Sequence, residues 1–217
     1  MRRIKKILKG LAVGAGVWVL YNSFLPPIST LMLGRWLIFE RATRDFVPLE
    51  DISPHLKRAV IVAEDGKFCD HHGVDWQALQ NAVEDAVDED GGPMRGASTL
   101  TMQVVKNLFL WPGRSYLRKT VEIPLALVLD GIWSKRRIME VYLNVAEFGD
   151  GVFGAEAASR RYFGKSAAAL TGHEAALLAA TLPSPLRRNP ARPSGYMGRY
   201  AATIGTRAGG ADTVCLR

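Results

Sequence analysis

A mainly α-helical domain is what this sequence predicts, and three observations carry it. Apolar residues recur at helical spacing in one segment after another. Serine, threonine and proline stand where those segments begin. No convincing run of alternating apolar and polar residues appears between them. The 217 residues suffice for one core-bearing domain plus an appendage, and not for two full-sized domains.

The elements follow in order. Arg2, Arg3, Lys5, Lys6 and Lys9 precede an uncharged run from Gly10 to Gly34. A helix over Gly10–Leu25 is roughly 24 Å long at ~1.5 Å per residue, and Pro26 and Pro27 end it. With lysines able to reach past its end, this reads as a membrane anchor over residues 10–30, behind a basic tail over 1–9. The basic cluster keeps the amino terminus cytoplasmic and sends the rest to the far side. A cleaved signal peptide is the competing reading, disfavoured because no small-x-small site follows the apolar run. Residues 31–52 mix apolar side chains with Arg35, Arg41 and Arg44, which suits either a membrane surface or a segment packed on the main domain.

The main domain, residues 31–200 with that segment included, takes firm shape at Ser53-Pro54, an N-cap followed by a first-turn proline. That helix carries Leu56, Val60 and Ala63 and ends at Glu64. A second helix over Asp75–Val87 has Trp76, Leu79, Val83 and Ala86 on one face, and the acidic, glycine-rich stretch 88–93 is a loop. Ser98 is the expected N-cap of the next helix. Ser115 starts one that runs to Trp133 with Val121, Leu125, Val128 and Ile132 inward and Pro124 as a kink or interruption. Ser134 caps a helix carrying Ile138, Val141, Tyr142 and Val145; another covers Ala155–Tyr162. Thr171 and Glu174 form a capping box before a helix that Pro183 ends. Residues 201–217 have little periodicity and are expected to be poorly ordered. Cys69 and Cys215 read as free thiols without structural weight, silent about compartment.

A formal charge of +7 points to an anionic partner: nucleic acid, anionic lipid or a phosphorylated substrate. No nucleic-acid-binding or zinc signature is present, so nucleic acid is the weakest of the three.

Chemistry concentrates in a few places. Glu64, behind an apolar helix face and beside Asp65, is an acid whose pKa should rise, which suits a general base or acid. Thr99, Gln103 and Lys106 fall on one stripe of the next helix, with Ser98 at its amino end, a combination able to cradle a pyrophosphate or sugar hydroxyls. Arg118 and Glu122 stand at i and i+4 and can pair, with Arg114 and Lys119 adding positive charge. The blander readings are helix-end acids, a solvated helix face and a surface ion pair. His71, His72 and His173 have no metal spacing; His72-Gly73 reads as a turn, and Tyr142 and Asn144 as structural, with Asn144 a buried hydrogen-bonder.

Taken together, these segments carry a family pattern. They are Glu64-Asp65-x-x-Phe68-x-x-His71-His72-Gly73-x-Asp75, Gly96-x-Ser98-Thr99-x-x-x-Gln103-x-x-Lys106-Asn107, Arg118-Lys119-x-x-Glu122 and Lys135-x-x-Ile138-x-Glu140-x-Tyr142-Leu143-Asn144. Phe148-Gly149-x-Gly151-x-x-Gly154-x-Glu156-x-Ala158 and Tyr162-Phe163-Gly164 extend it. From about Pro54 to Pro190 the chain resembles the bacterial peptidoglycan glycosyltransferases of glycosyltransferase family 51, closest to the single-domain, monofunctional members. The resemblance implies a lysozyme-like helical large lobe, a small membrane-apposed jaw lobe and one amino-terminal transmembrane helix. It implies polymerisation of glycan strands from lipid II, with Glu64 deprotonating the acceptor 4-hydroxyl and undecaprenyl pyrophosphate leaving with inversion. Glu122 then helps position the donor; Lys106, Arg114, Arg118 and Lys119 hold the pyrophosphate; Ser98, Thr99, Gln103 and Asn107 line the cleft. No cofactor is required by this scheme, with Mg2+ or Mn2+ near Glu122 the one metal candidate. Implied partners are lipid II, the growing strand, membrane lipids and cell-wall synthesis or division proteins. The implied location is the inner membrane, single-pass, with a periplasmic catalytic domain. Ala97 and Met102 depart from the usual glycine and glutamine, the tail after Tyr200 does not match, and no Ser-x-x-Lys transpeptidase domain is present. A lysozyme-like hydrolase or lytic transglycosylase, and a membrane-anchored scaffold, are the rivals.

Overall fold

The computed structural model describes residues 2–88, 98–111 and 116–217. Helix α1 (Arg2–Phe24) enters first and stops before Pro26 and Pro27. Its second half is fastened to the domain. The Trp18 indole donates to the Leu108 carbonyl at 3.0 Å, the Trp133 indole donates to Ser23 Oγ at 2.6 Å, and Arg137 donates to the carbonyls of Asn22 and Leu25 at 2.6 and 2.8 Å. The Asn22 carbonyl, one of those that a helix end leaves orphaned, is thereby satisfied. Among the described residues, no helix is long and apolar enough to cross a membrane.

Helix α2 (Thr30–Leu37) is capped by Ser29 and buries Met32. The next strand, β1 (Thr43–Arg44), pairs in parallel with β3 (Val152–Phe153), which pairs antiparallel with β2 (Glu147–Gly149). Arg35 of α2 holds this patch together, reaching Glu147 at 3.2 Å and Asp150 at 2.7 Å. Gly151 sits at φ +68, and a Cβ there would meet the Arg41 carbonyl oxygen at 2.4 Å, so the turn requires glycine. The segment 31–52 is thus packed on the domain, yet it leaves Leu37, Ile38 and Phe39 exposed. These strands are too short for the alternation that would reveal them in sequence.

Helices α3 (Pro54–Glu64), α5 (Leu100–Phe109), α7 (Lys135–Val145), α9 (Gly172–Thr181) and α10 (Gly195–Ala208) build the core. Helix α7 buries Ile138, Met139, Val141, Tyr142, Leu143, Asn144 and Val145. Caps fall where the sequence places them at Ser53, Ser134 and Thr171, with the capping box present. Helix α4 (Trp76–Asp88) and helix α8 (Ala155–Phe163) also form where expected. Asn144 bridges to Val47 through both its amide atoms, as a buried hydrogen-bonder should.

Six expectations are corrected. The N-cap of α5 is Thr99, one residue later than Ser98, because the Thr99 hydroxyl both accepts from the Met102 amide and donates to the Gly73 carbonyl at 2.6 Å. Helix α6 (Tyr116–Ile132) runs unbroken through Pro124. It also turns the opposite way: Glu122, Ala126 and Leu129 are buried, while Leu125, Val128 and Ile132 are exposed. The helix is apolar nearly all round, so periodicity cannot choose its face; Asp130, which accepts from Thr101 of α5, does. On α4, Trp76 and Val83 are likewise exposed. The stretch after Ala201 is not a loose tail: it completes α10, with Ala201 and Ile204 buried, and ends in a 3-10 turn over Val214–Leu216 with Leu216 buried. Finally, Cys69 and Cys215 form a disulfide, with Cα atoms 5.5 Å apart. It pins that carboxyl-terminal turn to the loop after Glu64. Neither end shows a spacing pattern, since the bond spans 146 positions.

Candidate active site

Glu64 is the last residue of α3, and Asp65 is its C-cap. Asp65 is buried and accounts for its oxygens inside the protein. It sits 2.9 Å from His71 Nε2 and accepts from the Leu100 amide at 2.8 Å, joining the end of α3 to the start of α5. The loop between is held from the other side. Gly73, at φ +80, lies so close to α6 that a Cβ would meet the Ala126 carbonyl oxygen at 2.6 Å. Lys135 pairs with the buried Asp130 at 2.7 Å and stands over the Phe68 ring, while Asp130 also accepts from Thr101. Helix α3, the loop and α5 therefore present Glu64 from a braced corner.

Glu64 itself behaves differently from Asp65. Its Oε2 accepts from Gln103 Nε2 at 2.7 Å, and its Oε1 is buried without a hydrogen-bond partner among the described residues. Burial raises its pKa above the ordinary carboxylate value, an effect that the Gln103 hydrogen bond and the Lys106 charge moderate. Beside it lies a cleft of about 210 Å³ whose walls include Glu64, Gly66, Lys67, Asp75 and Ser98.

The cations stand on α5 and α6. Lys106 is one helical turn beyond Gln103, and burial lowers its pKa, with Arg118 lowering it further and Glu64 raising it. Arg118 and Glu122 form a buried ion pair at i and i+4, not a solvated helix pair. Lys119 donates to Ser98 Oγ, which joins the basic bank to the rim of the cleft. Burial, then the charges of Arg118 and Lys106, bring the Lys119 pKa down to about 8. Three cations held partly out of water and near one another favour an incoming anion.

The sequence-predicted residues thus divide. Glu64, Gln103, Lys106, Arg118, Lys119, Ser98 and Glu122 are linked by hydrogen bonds, an ion pair or direct electrostatic influence. Thr99 is the buried cap of α5 and, with Ser98, also forms part of the cleft wall. The Asn107 backbone carbonyl accepts from Thr30, which fixes the end of α5. Arg114 lies outside the described residues. Reading by residue type passed over three others. Arg188 and Tyr200 feel Glu64 electrostatically, and the Arg188 guanidinium lies 5.7 Å from the ring centres of both Tyr196 and Tyr200. Tyr142, fully enclosed on α7, donates to Gln103 Oε1 at 3.3 Å. Tyr142 stood within a quoted motif; Arg188 lies in a proline-rich stretch where no periodicity could point to it.

Among the described residues, no three His, Cys, Asp or Glu side chains converge as a metal site. Glu122, the carboxylate nearest to that role, is engaged by Arg118.

Comparison with known proteins agrees with this geometry. A family model described as Transglycosylase matches residues 32–207. The chain is 56% identical to a biosynthetic peptidoglycan transglycosylase of Brucella suis over 85% of its length and 82% of the relative's. It is 52% identical to one from Rhodospirillum centenum over 94% of its length and 88% of that protein's. A third, from Rhizobium meliloti, is 51% identical over 89% and 82% respectively.

Proposed function

This chain belongs to the transglycosylase family, and from that premise we propose that Glu64 is the base, and Lys106, Arg118 and Lys119 the leaving-group trap, of its reaction. The protein is a peptidoglycan glycosyltransferase. It polymerises glycan strands from lipid II by β-1,4 bonds, with inversion and release of undecaprenyl pyrophosphate.

The chain's own residues supply the steps. Glu64 Oε1 takes the proton from the acceptor 4-hydroxyl as that oxygen bonds to the anomeric carbon. The bond from that carbon to the pyrophosphate breaks, and its electron pair leaves on the phosphate oxygen. A single displacement from the opposite face turns α into β. Negative charge grows on the diphosphate, so fixed cations rather than a protein acid stabilise the transition state. Glu122 keeps Arg118 in place within the bank, and Ser98 does so for Lys119. Gln103 holds the base, and Arg114 and Asn107 are further candidates for the cleft. Among the described residues the carboxylates form no metal cage, and no step is written through Mg2+ or Mn2+.

One observation carries this reading: a half-buried acid with one oxygen held and the other, buried, unpartnered among the described residues, within electrostatic influence of Lys106. A neutral-glycan hydrolase has no need of the cations. Labelled lipid II and purified sacculi, offered in parallel, test it. Polymer from lipid II and no release from sacculi is expected; soluble muropeptides from sacculi without polymer would overturn it.

The small sheet with α2 is our candidate for the jaw lobe. We place α1 at the inner membrane as a single anchor, amino terminus cytoplasmic and the domain periplasmic, its apolar run short of a full span and completed by lysines that reach past its end. Support comes from the basic residues at its start, from the exposed Val13, Val17, Leu20 and Phe24, and from the exposed Leu37, Ile38 and Phe39 that follow in the chain. The disulfide supports the same side, because such bonds persist in oxidising compartments. Membrane lipids and cell-wall synthesis or division proteins are the partners this placement implies.

A further inference from the structure

Glu64 does not meet Gln103 by chance of packing; the amide is itself held. Tyr142 is buried on α7, and its hydroxyl donates to Gln103 Oε1 at 3.3 Å. The other end of the same amide, Nε2, donates to Glu64 Oε2 at 2.7 Å. An amide has one accepting end and one donating end, whereas an ionised carboxylate can only accept. A phenol that donates to the carbonyl therefore forces the NH2 toward Glu64. With Oε2 so engaged, the lone pairs of the buried Oε1 are the ones left without a partner among the described residues.

We propose that Tyr142 is a positioning residue for proton transfer: through Gln103 it fixes which oxygen of Glu64 is the base, Oε1, and keeps that carboxylate in its accepting form. The inference rests on the reading of Glu64 as base. In Tyr142→Phe the amide is no longer oriented and can turn its carbonyl toward Glu64. Two acceptors then face each other, and Glu64 is relieved by binding a proton. The base is thereby lost at pH values where the wild type has it. The other groups that influence Glu64 are Asp65 beside it, Lys106 on α5, Arg188 after α9 and Tyr200 on α10; among the described residues the side-chain hydrogen bond to the Gln103 Oε1 comes from Tyr142. A phenol whose sole duty was to fill the core could be replaced by Phe without moving a titration.

The test is the pH profile of kcat/KM for lipid II with the full chain, for wild type, Tyr142→Phe and Glu64→Gln. Tyr142→Phe should move the acid limb upward by about one unit, the scale of one charge-assisted hydrogen bond. Below that limb kcat should fall, with KM little changed. Site-specific replacement of Tyr142 by 3-fluorotyrosine keeps the shape and makes the phenol a stronger donor. It should move the limb the other way, and it serves also if Tyr142→Phe does not fold. An acid limb that stays in place in either soluble variant overturns the role of Tyr142, whatever happens to kcat or melting temperature. If Glu64→Gln retains turnover, the base assignment itself fails, a distinct result from an immobile limb beside an inactive Glu64→Gln.

Discussion

The acid corner and the basic bank are held partly out of water alike, and the same desolvation drives them in opposite directions. At the end of α3, burial makes Glu64 reluctant to be charged and so readier to take a proton. On α5 and α6, burial and mutual repulsion make Lys106 and Lys119 reluctant to stay charged and so readier to accept a counter-ion. Asp65, next to Glu64 in sequence, is spared for catalysis in neither sense, because His71 and the Leu100 amide occupy its oxygens. The difference teaches that a reactive group here is one whose internal partners are incomplete. A polymerase of this kind needs both regions: one that gains a proton and one that gains a diphosphate.

The largest effect should come from removing the acid corner. Glu64→Gln keeps the size and the neighbour Gln103, yet cannot take a proton; lipid II turnover should drop at least ~10²-fold while the fold persists by circular dichroism. Loss of less than tenfold would break the comparison at its first member.

The bank breaks differently. Arg118→Met leaves Glu122 buried without its ion-pair partner, and breaking a buried pair costs about 3–5 kcal/mol of stability. Adding Glu122→Met should recover much of that stability without recovering turnover. Denaturant unfolding of the two variants checks it, and a double variant no more stable than the single would contradict the pairing. A smaller effect is expected at the disulfide: Cys69→Ser with Cys215→Ser should cost about 2–4 kcal/mol, read as a lower Tm. Turnover measured well below that Tm should stay within a few-fold of wild type, because the bond braces the loop rather than touching the cleft.

Much of this was legible in the sequence, and the exceptions have physical causes. Ser53, Ser134 and the Thr171–Glu174 box act within a few residues of themselves, so their helices could be read directly. Glu64, Gln103, Lys106, Arg118 and Glu122 could be read from residue type, motif and spacing. The face of α6 could not, because apolar residues nearly surround it and the distant partner of Asp130, Thr101 on α5, decides its rotation. Thr99 could not be told from Ser98, since the choice depends on a carbonyl 26 positions away, that of Gly73. The carboxyl-terminal turn and its disulfide depend on residues 146 positions apart. The Tyr142–Gln103–Glu64 chain joins three helices, and no single helix carries its pattern.

The most direct measurement is the pH dependence of kcat/KM for lipid II, in wild type and in Lys119→Arg. Glu64 works only when ionised, so activity must be lost as pH falls through a value raised above the ordinary carboxylate range. Lys119 works only when protonated, so activity must be lost as pH rises through about 8. The account predicts a bell in the wild type and, in Lys119→Arg, the same acid limb with the basic limb moved to higher pH, because arginine stays charged and Lys106 is then the cation lost first. An acid limb at the ordinary glutamate value, or a basic limb that Lys119→Arg leaves in place, would contradict it.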